Sequence, residues 1–408
     1  MLIQSIKYYI ASFAGFRREV WILALVSLVN RAGTMVIPFL SLYLTNDVSF
    51  TYAQVGWVMS AFGIGSLMGS YLGGKLTDFI GYYPTMVMSL LLSAVLFVVL
   101  QYVKSFEFFC LSIALLMTVA DTFRPALFVS LKSYSKPENR TRSVTLIRLA
   151  INLGFSVGPA AGGFIIANMG YGGLFWIDGI TCFLAGLMLL GLLSNKQSKA
   201  DLDDSKLQST GKRSPYADKL YMIFLGVVVL VGISFLQFFS TVPLYYRDVH
   251  QLSEQSIGLL LGLNGALIFI IEMPLIKWLE DSKWSIMKVL IISIFLFASS
   301  FFLMNMTSWS GVLVIGMFLM TFGEMLNFPY GNRFAMDRAE KGKMGAFMGA
   351  YTIAFSIAHV VGHNAGLQMV SRIGFEATWY IITGLLVIGM AIMLYLKTLL
   401  KKEEISSE

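Results

Sequence analysis

Residues 194–216 read SNKQSKADLDDSKLQSTGKRSPY and form a long polar stretch near the middle of a 408-residue chain. The stretch is rich in Lys, Asp, Ser and Gln and has almost no large apolar side chains. Such a segment cannot bury enough apolar surface to offset the entropy lost on ordering. We therefore expect residues 194–217 to be a mobile linker between two halves, 1–193 and 218–408.

Both halves are strongly apolar. Of all residues, 57% are hydrophobic and only 13% are charged, whereas about 25% is usual for a soluble domain. A bilayer accepts such a sequence, and a helix that crosses its hydrocarbon needs about 20 apolar residues. Six segments on each side of the linker are long enough. The predicted spans, numbered 1 to 12, are 20–44, 54–80, 84–103, 106–134, 142–168, 172–193, 218–246, 254–280, 284–305, 309–335, 343–371 and 375–398.

The basic residues outside these spans predict the orientation. Most of them fall on the side that holds both termini and the linker, and the opposite side has only Lys104, Arg247 and Arg372. Because Lys and Arg accumulate in cytoplasmic loops, we expect a multi-pass inner-membrane protein with both termini in the cytoplasm. Because these basic residues are scattered over short loops, they form no basic patch that could bind a nucleic acid.

Polar side chains inside the spans are the candidate substrate-binding residues. A charge in hydrocarbon costs several kcal/mol, so it usually faces a cavity or a partner. The candidates are Asn30, Arg31, Asp121, Arg124, Arg148, Asn152, Asn327, His359 and His363. A structural role is the alternative. Asp121 and Arg124, three residues apart on a helix, could neutralise each other. Each remaining Arg or His could form a hydrogen bond to a neighbouring helix.

Two acids in the second half are candidate proton carriers. Glu272 lies beside Pro274, and Glu324 precedes Pro329, where we expect a break in span 10. A buried carboxylate suits this role because loss of water favours its neutral form. The histidines, His359 and His363, could also titrate near neutrality. With no third ligand nearby, they do not indicate a metal site.

Enzyme signatures are not recognisable in this chain. It has no Walker-type loop, no His-Glu-x-x-His pattern and no nucleophile elbow, and no predicted extramembrane region is long enough for a catalytic domain. We therefore expect no catalytic residue, cofactor or metal, and the partners expected are a small-molecule substrate, protons and lipid. A membrane receptor or scaffold is the alternative class, and the polar groups inside the spans argue against it.

Two motifs point to a family. Residues 74–81, GKLTDFIG, resemble the loop signature of the major facilitator superfamily. In that family the acid matching Asp78 latches two helical bundles, with Gly74 allowing close helix approach. The resemblance is incomplete, because Tyr82 and Tyr83 stand where the family has basic residues.

The second motif lies in span 5, where residues 152–163 read NLGFSVGPAAGG. It resembles the antiporter motif of the same superfamily. Gly154, Gly158 and Gly162 recur every four residues, so another backbone can pack against their face, and Pro159 removes one backbone hydrogen bond. A general glycine packing seam is the alternative reading, because span 2 has a similar series at Gly65, Gly69 and Gly73.

The resemblance implies an all-α membrane protein with twelve transmembrane helices in two six-helix bundles, the major facilitator fold. It also implies a monomer that works by alternating access, with the span 5 glycine and proline, Gly158 and Pro159, as part of the conformational gate. The chain looks most like the twelve-helix drug:proton antiporters, which implies proton-coupled efflux. Proton-dependent oligopeptide transporters are the rival, because they share an Asn-Leu-Gly stretch in span 5 and an Arg in span 1. Their Glu-x-x-Glu-Arg pattern is missing here, and the alternative function is proton-coupled uptake of a peptide-like, zwitterionic or anionic solute.

Overall fold

A computed structural model describes residues 15–136, 140–194, 214–282, 284–307, 309–339 and 344–407. Most of the expected linker, residues 195–213, lies outside the described residues. At its end, Pro215–Ala217 form a single 3₁₀ turn before the next helix begins.

The described chain is helical, as predicted. Eleven of its helical segments are long and apolar enough to cross a membrane. The last of them, within Met344–Ser407, contains Gly374 at φ 79° and ψ 175°, a conformation that interrupts the helix. This segment therefore holds two spans, 11 and 12, on either side of the glycine. The protein is a multi-pass membrane protein with twelve spans among the described residues.

The chain divides into two compact units. Unit 1 contains the described residues of Met1–Pro38 and Ala61–Lys206, and unit 2 contains those of Phe39–Ser60 and Leu207–Glu408. The division falls inside spans 1 and 2, because the end of span 1 and the beginning of span 2 belong to unit 2 by their contacts. The two six-helix bundles, 1–193 and 218–408, stay a prediction.

The described helices that precede the linker pack around glycines. Their bounds are Arg18–Ala32, Val36–Asn46, Tyr52–Ile80, Tyr82–Leu100, Phe106–Ala120, Phe123–Tyr134, Arg140–Met169 and Gly172–Leu192. A Cβ added at Gly65 would lie 2.3 Å from the Ala114 carbonyl oxygen, and one at Gly69 would lie 2.5 Å from that of Thr118. Spans 2 and 4 therefore pack backbone against backbone, which only glycine permits at these positions.

Spans 1 and 4 are each two helices, not the single helices that we predicted. Span 1 is interrupted between Ala32 and Val36, and span 4 between Ala120 and Phe123. In both, a proline occupies the third position of the second helix, Pro38 or Pro125. Proline has no N–H to donate to the preceding turn. A helix can start there at little cost, whereas a continuous helix would lose a hydrogen bond.

The helices of unit 2 that follow the linker are Lys219–Phe235, Gln237–Ser240, Val242–Asp248, Glu254–Asp281, Ile286–Met304, Gly311–Ala339 and Met344–Ser407. Span 7 is divided into three of these. The predicted break at Pro329 is wrong, because Gly311–Ala339 is continuous through it. Proline removes only one donor, and a helix of 29 residues keeps its remaining backbone hydrogen bonds.

Candidate functional site

The break in span 4 places Asp121 in the interior of unit 1. Its carboxylate accepts a short hydrogen bond from the Ser66 hydroxyl of span 2. The Arg31 guanidinium of span 1 is close enough for the two charges to interact. The structure thus brings together two predicted substrate-binding residues from different spans, and it adds Ser66, which sequence reasoning missed.

Arg31 is held from the other side by span 5. Its guanidinium carbon lies 5.5 Å from the centre of the Phe155 ring, within the range of a cation–π contact. A Cβ added at Gly154 would lie 2.6 Å from the Arg31 Cβ, and one at Gly158 would lie 3.1 Å from the Ala32 carbonyl oxygen. The glycine series of span 5 therefore packs against the turn of span 1 that carries Arg31.

The other candidates of unit 1 are less enclosed. Arg124 and Arg148 are exposed, and Asn152 is partly buried. Both Arg148 and Asn152 also make interactions with neighbours. Packing thus adds the Ser66 hydrogen bond and the charge of Arg31 to that of Arg124, the partner considered for Asp121 from the i, i+3 spacing. The interruption of the helix between these two residues removes the regular geometry on which that pairing depended.

A small polar cavity lies beside this cluster. Its volume is about 30 Å³, and its lining includes Asn30, Arg31, Ser93 and Asp121. A cavity holds a water molecule once about 10–15 Å³ is available to the centre of a water-sized sphere, whereas sites for organic ligands measure about 300–1,000 Å³. This cavity therefore has room for water, and it is too small to enclose an organic solute by itself.

Asp178 of span 6 is a buried acid that sequence reasoning missed. Its Oδ1 accepts the Met35 N–H at 3.0 Å, and its Oδ2 accepts the Val36 N–H at 3.0 Å. The side chain reaches the break in span 1 from 143 residues away. The signal was available, since an acid within the apolar segment Gly172–Leu192 stands out as intramembrane.

In unit 2 the candidate proton carriers are near each other. Glu324 Oε2 accepts a hydrogen bond of 2.9 Å from Asn264 Nδ2, which also donates to Thr321 Oγ1 at 3.0 Å. The Glu272 carboxylate is close enough for its charge to act on Glu324. Asn264, buried in span 8, is a further residue that sequence reasoning missed.

The remaining candidates of unit 2 lie on spans 10 and 11. Asn327 Nδ2 donates to Ser293 Oγ at 2.8 Å. The His359 and His363 rings are 5.7 Å apart in an edge-on arrangement, and His363 is buried. Close by, Gln237 Nε2 donates to the Gly362 carbonyl at 2.7 Å, so spans 7 and 11 are joined next to the histidines.

The predicted gate residues lie in regular helix. Gly74 and Asp78 belong to the last turns of Tyr52–Ile80, and the Asp78 side chain is exposed. Gly81, at φ 95°, separates this helix from the next one. Gly158 and Pro159 are buried in Arg140–Met169, which continues through the proline.

The sequence pattern of the Major Facilitator Superfamily matches residues 9–363 of this chain. The chain belongs to this superfamily. Its members are transporters, so the family gives no indication of an enzyme. A solved POT family transporter in complex with 5-aminolevulinic acid has the same fold, with a TM-score of 0.79 at 14% identity over 94% of this chain and 96% of that one.

Two relatives of known role are also similar to this chain in sequence. The Na(+), Li(+), K(+)/H(+) antiporter of Planococcus maritimus is 20% identical over 73% of this chain and 76% of its own length. The quinolone resistance protein NorA of Staphylococcus aureus is 24% identical over 67% of this chain and 72% of its own length.

Proposed function

We propose that this protein is a proton-coupled secondary transporter that exports a small organic solute in exchange for protons. The observation that carries the proposal is the pair of carboxylates in unit 2, Glu324 bonded to Asn264 with Glu272 near it. Acidic side chains in membrane spans are energetically costly, so they usually serve transport or pair with another group. The similarity to an antiporter that exchanges cations for protons, and to a resistance protein, supports the direction.

In this mechanism the carboxylate pair is the proton carrier. Two negative charges close together in hydrocarbon repel each other, and one bound proton relieves that repulsion. Asn264 donates to the ionised form of Glu324 and so keeps that form accessible. The pair can then gain and lose a proton when access changes from one side of the membrane to the other.

The substrate would bind to polar residues inside the spans. The proposed set is Asn30, Arg31, Asp121, Arg124, Arg148, Asn152, Asn327, His359 and His363. Two bundles, 1–193 and 218–408, joined by the 194–217 linker, would expose this set alternately to each side. Asp78, Gly74, Gly158 and Pro159 would form the gate. We place the protein as a monomer in the inner membrane, with both termini cytoplasmic.

A second candidate function is proton-driven uptake of a zwitterionic, peptide-like or anionic solute. The observation that favours it is the excess of guanidinium groups in unit 1, where Arg31 lies by Asp121 while Arg124 and Arg148 are exposed. Guanidinium binds carboxylate and phosphate groups well. The fold shared with a transporter solved in complex with 5-aminolevulinic acid agrees with this alternative.

One experiment tests both functions. The purified protein is reconstituted in liposomes that contain a pH-sensitive dye, and lipophilic cations, organic acids and dipeptides are added in turn. The sign of the proton flux separates antiport from symport. Glu324→Gln and Glu272→Gln should each abolish the flux, while Glu376→Gln, a matched change at an exposed carboxylate, should preserve it. Undiminished flux in the double Glu272→Gln, Glu324→Gln variant would contradict proton coupling by this pair.

A further inference from the structure

The break in span 1 lacks a capping group of its own. The helix Arg18–Ala32 ends before Gly33, and the next helix begins at Val36. The residue before that second helix is Met35, whose side chain has no oxygen. The first N–H groups of a helix have no acceptor within the helix, and a buried N–H without a partner is costly. The Met35 N–H has one acceptor in the break itself, the Gly33 carbonyl oxygen at 2.7 Å, whereas the Val36 N–H needs an acceptor from elsewhere.

Asp178 supplies that acceptor from span 6. Its two carboxylate oxygens take the Met35 and Val36 N–H groups, at 3.0 Å each, and Oδ2 is also 3.2 Å from the Met35 nitrogen. The residue is 1% exposed. A carboxyl group is suited to the positive end of a helix, and its two oxygens can each accept one of these hydrogen bonds.

The same face of span 6 also holds the end of the first helix. One turn after Asp178, Cys182 Sγ accepts a hydrogen bond of 3.4 Å from Asn30 Nδ2. A Cβ added at Gly33 would lie 1.7 Å from Thr181 Oγ1, so no other residue fits there without a rearrangement. Span 6 therefore fixes the chain on both sides of the break, before it at Asn30 and after it at Met35.

Arg31 lies between these two fixed points. Its carbonyl oxygen accepts the Thr34 N–H at 3.1 Å within the break itself. A shift of the Met35–Val36 segment would move this turn and so re-aim the guanidinium relative to Asp121.

We propose that Asp178 is a positioning residue, which caps the second helix of span 1 and thereby fixes the direction of Arg31 in the transport site. The proposal rests on the proposed function in one respect only, the role of Arg31 in binding the substrate. The capping role itself depends on the geometry of span 1 alone.

Hydrogen–deuterium exchange tests the cap without any substrate. In the wild-type protein the Met35 and Val36 amides should exchange slowly. In Asp178→Asn the amide offers one acceptor oxygen in place of two. Exchange at Val36 should then be faster by on the order of tenfold, with a smaller change at Met35, which keeps the Gly33 carbonyl as an acceptor. The matched control is Glu107→Gln, which makes the same change in the first turn of Phe106–Ala120 at an exposed side chain. It should leave residues 35 and 36 unaffected.

Two results would overturn the cap. One is exchange at residues 35 and 36 in Asp178→Asn that equals the wild type. The other needs no variant and applies even if Asp178→Asn does not fold: wild-type exchange at these amides as fast as in the first turn of Phe106–Ala120.

A double-mutant cycle tests the action through Arg31. Transport of the panel compound that gives the largest proton flux is measured for Asp178→Asn, Arg31→Lys and the double variant. If Asp178 acts by aiming Arg31, its substitution should raise KM several-fold with kcat little changed, and the two effects should be strongly non-additive. Additive effects would refute positioning. An Arg31→Lys variant that transports like the wild type would instead contradict the proposed role of Arg31 and leave the exchange result to decide on the cap.

Discussion

A buried ionic cluster in unit 2 gives a quantitative prediction. Arg338, near the end of span 10, donates from Nε and Nη2 to the two Asp218 oxygens at 2.6 and 2.9 Å. It also donates from Nη1 and Nη2 to Glu403 at 2.6 and 3.1 Å. Asp218 is 1% exposed and caps the helix Lys219–Phe235 by accepting the Tyr221 N–H. The Glu403 side chain, by contrast, is 34% exposed.

The burial of each partner sets the size of the effect. Arg338→Leu removes both guanidinium hydrogen bonds from the Asp218 carboxylate, which stays buried and still accepts the Tyr221 N–H. Breaking a buried ion pair by removing one partner costs about 3–5 kcal/mol. Glu403→Gln weakens a partly exposed ion pair, for which about 0.2–1 kcal/mol is usual. We therefore expect the first substitution to lower the free energy of unfolding several times more than the second.

A compensating variant separates charge burial from lost packing. Combining Arg338→Leu with Asp218→Asn removes the buried charge that lost its guanidinium partner, and Asn still caps a helix well. The double variant should recover about 2 kcal/mol or more of the loss, because replacing a buried pair by uncharged groups is much less costly than breaking it. Unfolding in mixed micelles, followed by intrinsic fluorescence, measures all four proteins. A double variant no more stable than Arg338→Leu would refute the reasoning, as would equal losses for Arg338→Leu and Glu403→Gln.

Two smaller predictions concern glycine packing and an exposed ion pair. Gly65→Ala should destabilise the protein by about 1–3 kcal/mol, because its Cβ would overlap the backbone of span 4. A Cβ added at Gly74 would have no atom within 4 Å, so Gly74→Ala should be neutral or stabilising. Equal shifts of the unfolding temperature for the two variants would contradict the close approach of spans 2 and 4. Arg247, which pairs with Asp248 and donates to Thr45 and Asn46, is only partly buried, so Arg247→Gln should cost less than about 1 kcal/mol. That loss in the free energy of unfolding should be smaller in 1 M salt. A loss that does not depend on salt and is as large as that of Arg338→Leu would contradict screening of these charges by solvent.

The sequence by itself determined the membrane class and the number of spans. Length and apolar composition are properties of a segment that can be read without its neighbours, because a helix satisfies its own backbone hydrogen bonds in hydrocarbon. The glycine series of spans 2 and 5 could be read in the same way, since residues four apart share a helix face. The two breaks also had a local signal that was missed, a proline at Pro38 and another at Pro125.

Only the tertiary structure decided which side chains meet. Asp178 reaches Met35 across 143 positions, Asn264 reaches Glu324 across 60, and Arg338 reaches Asp218 across 120. Each acid or amide could be recognised as unusual in or near an apolar span, but its partner could not. A buried polar group must find a hydrogen-bond partner, and that partner is set by which helices pack together and in what rotation. For Asp121 the i, i+3 spacing suggested Arg124, and the packing of spans 1, 2 and 4 adds Ser66 and the charge of Arg31.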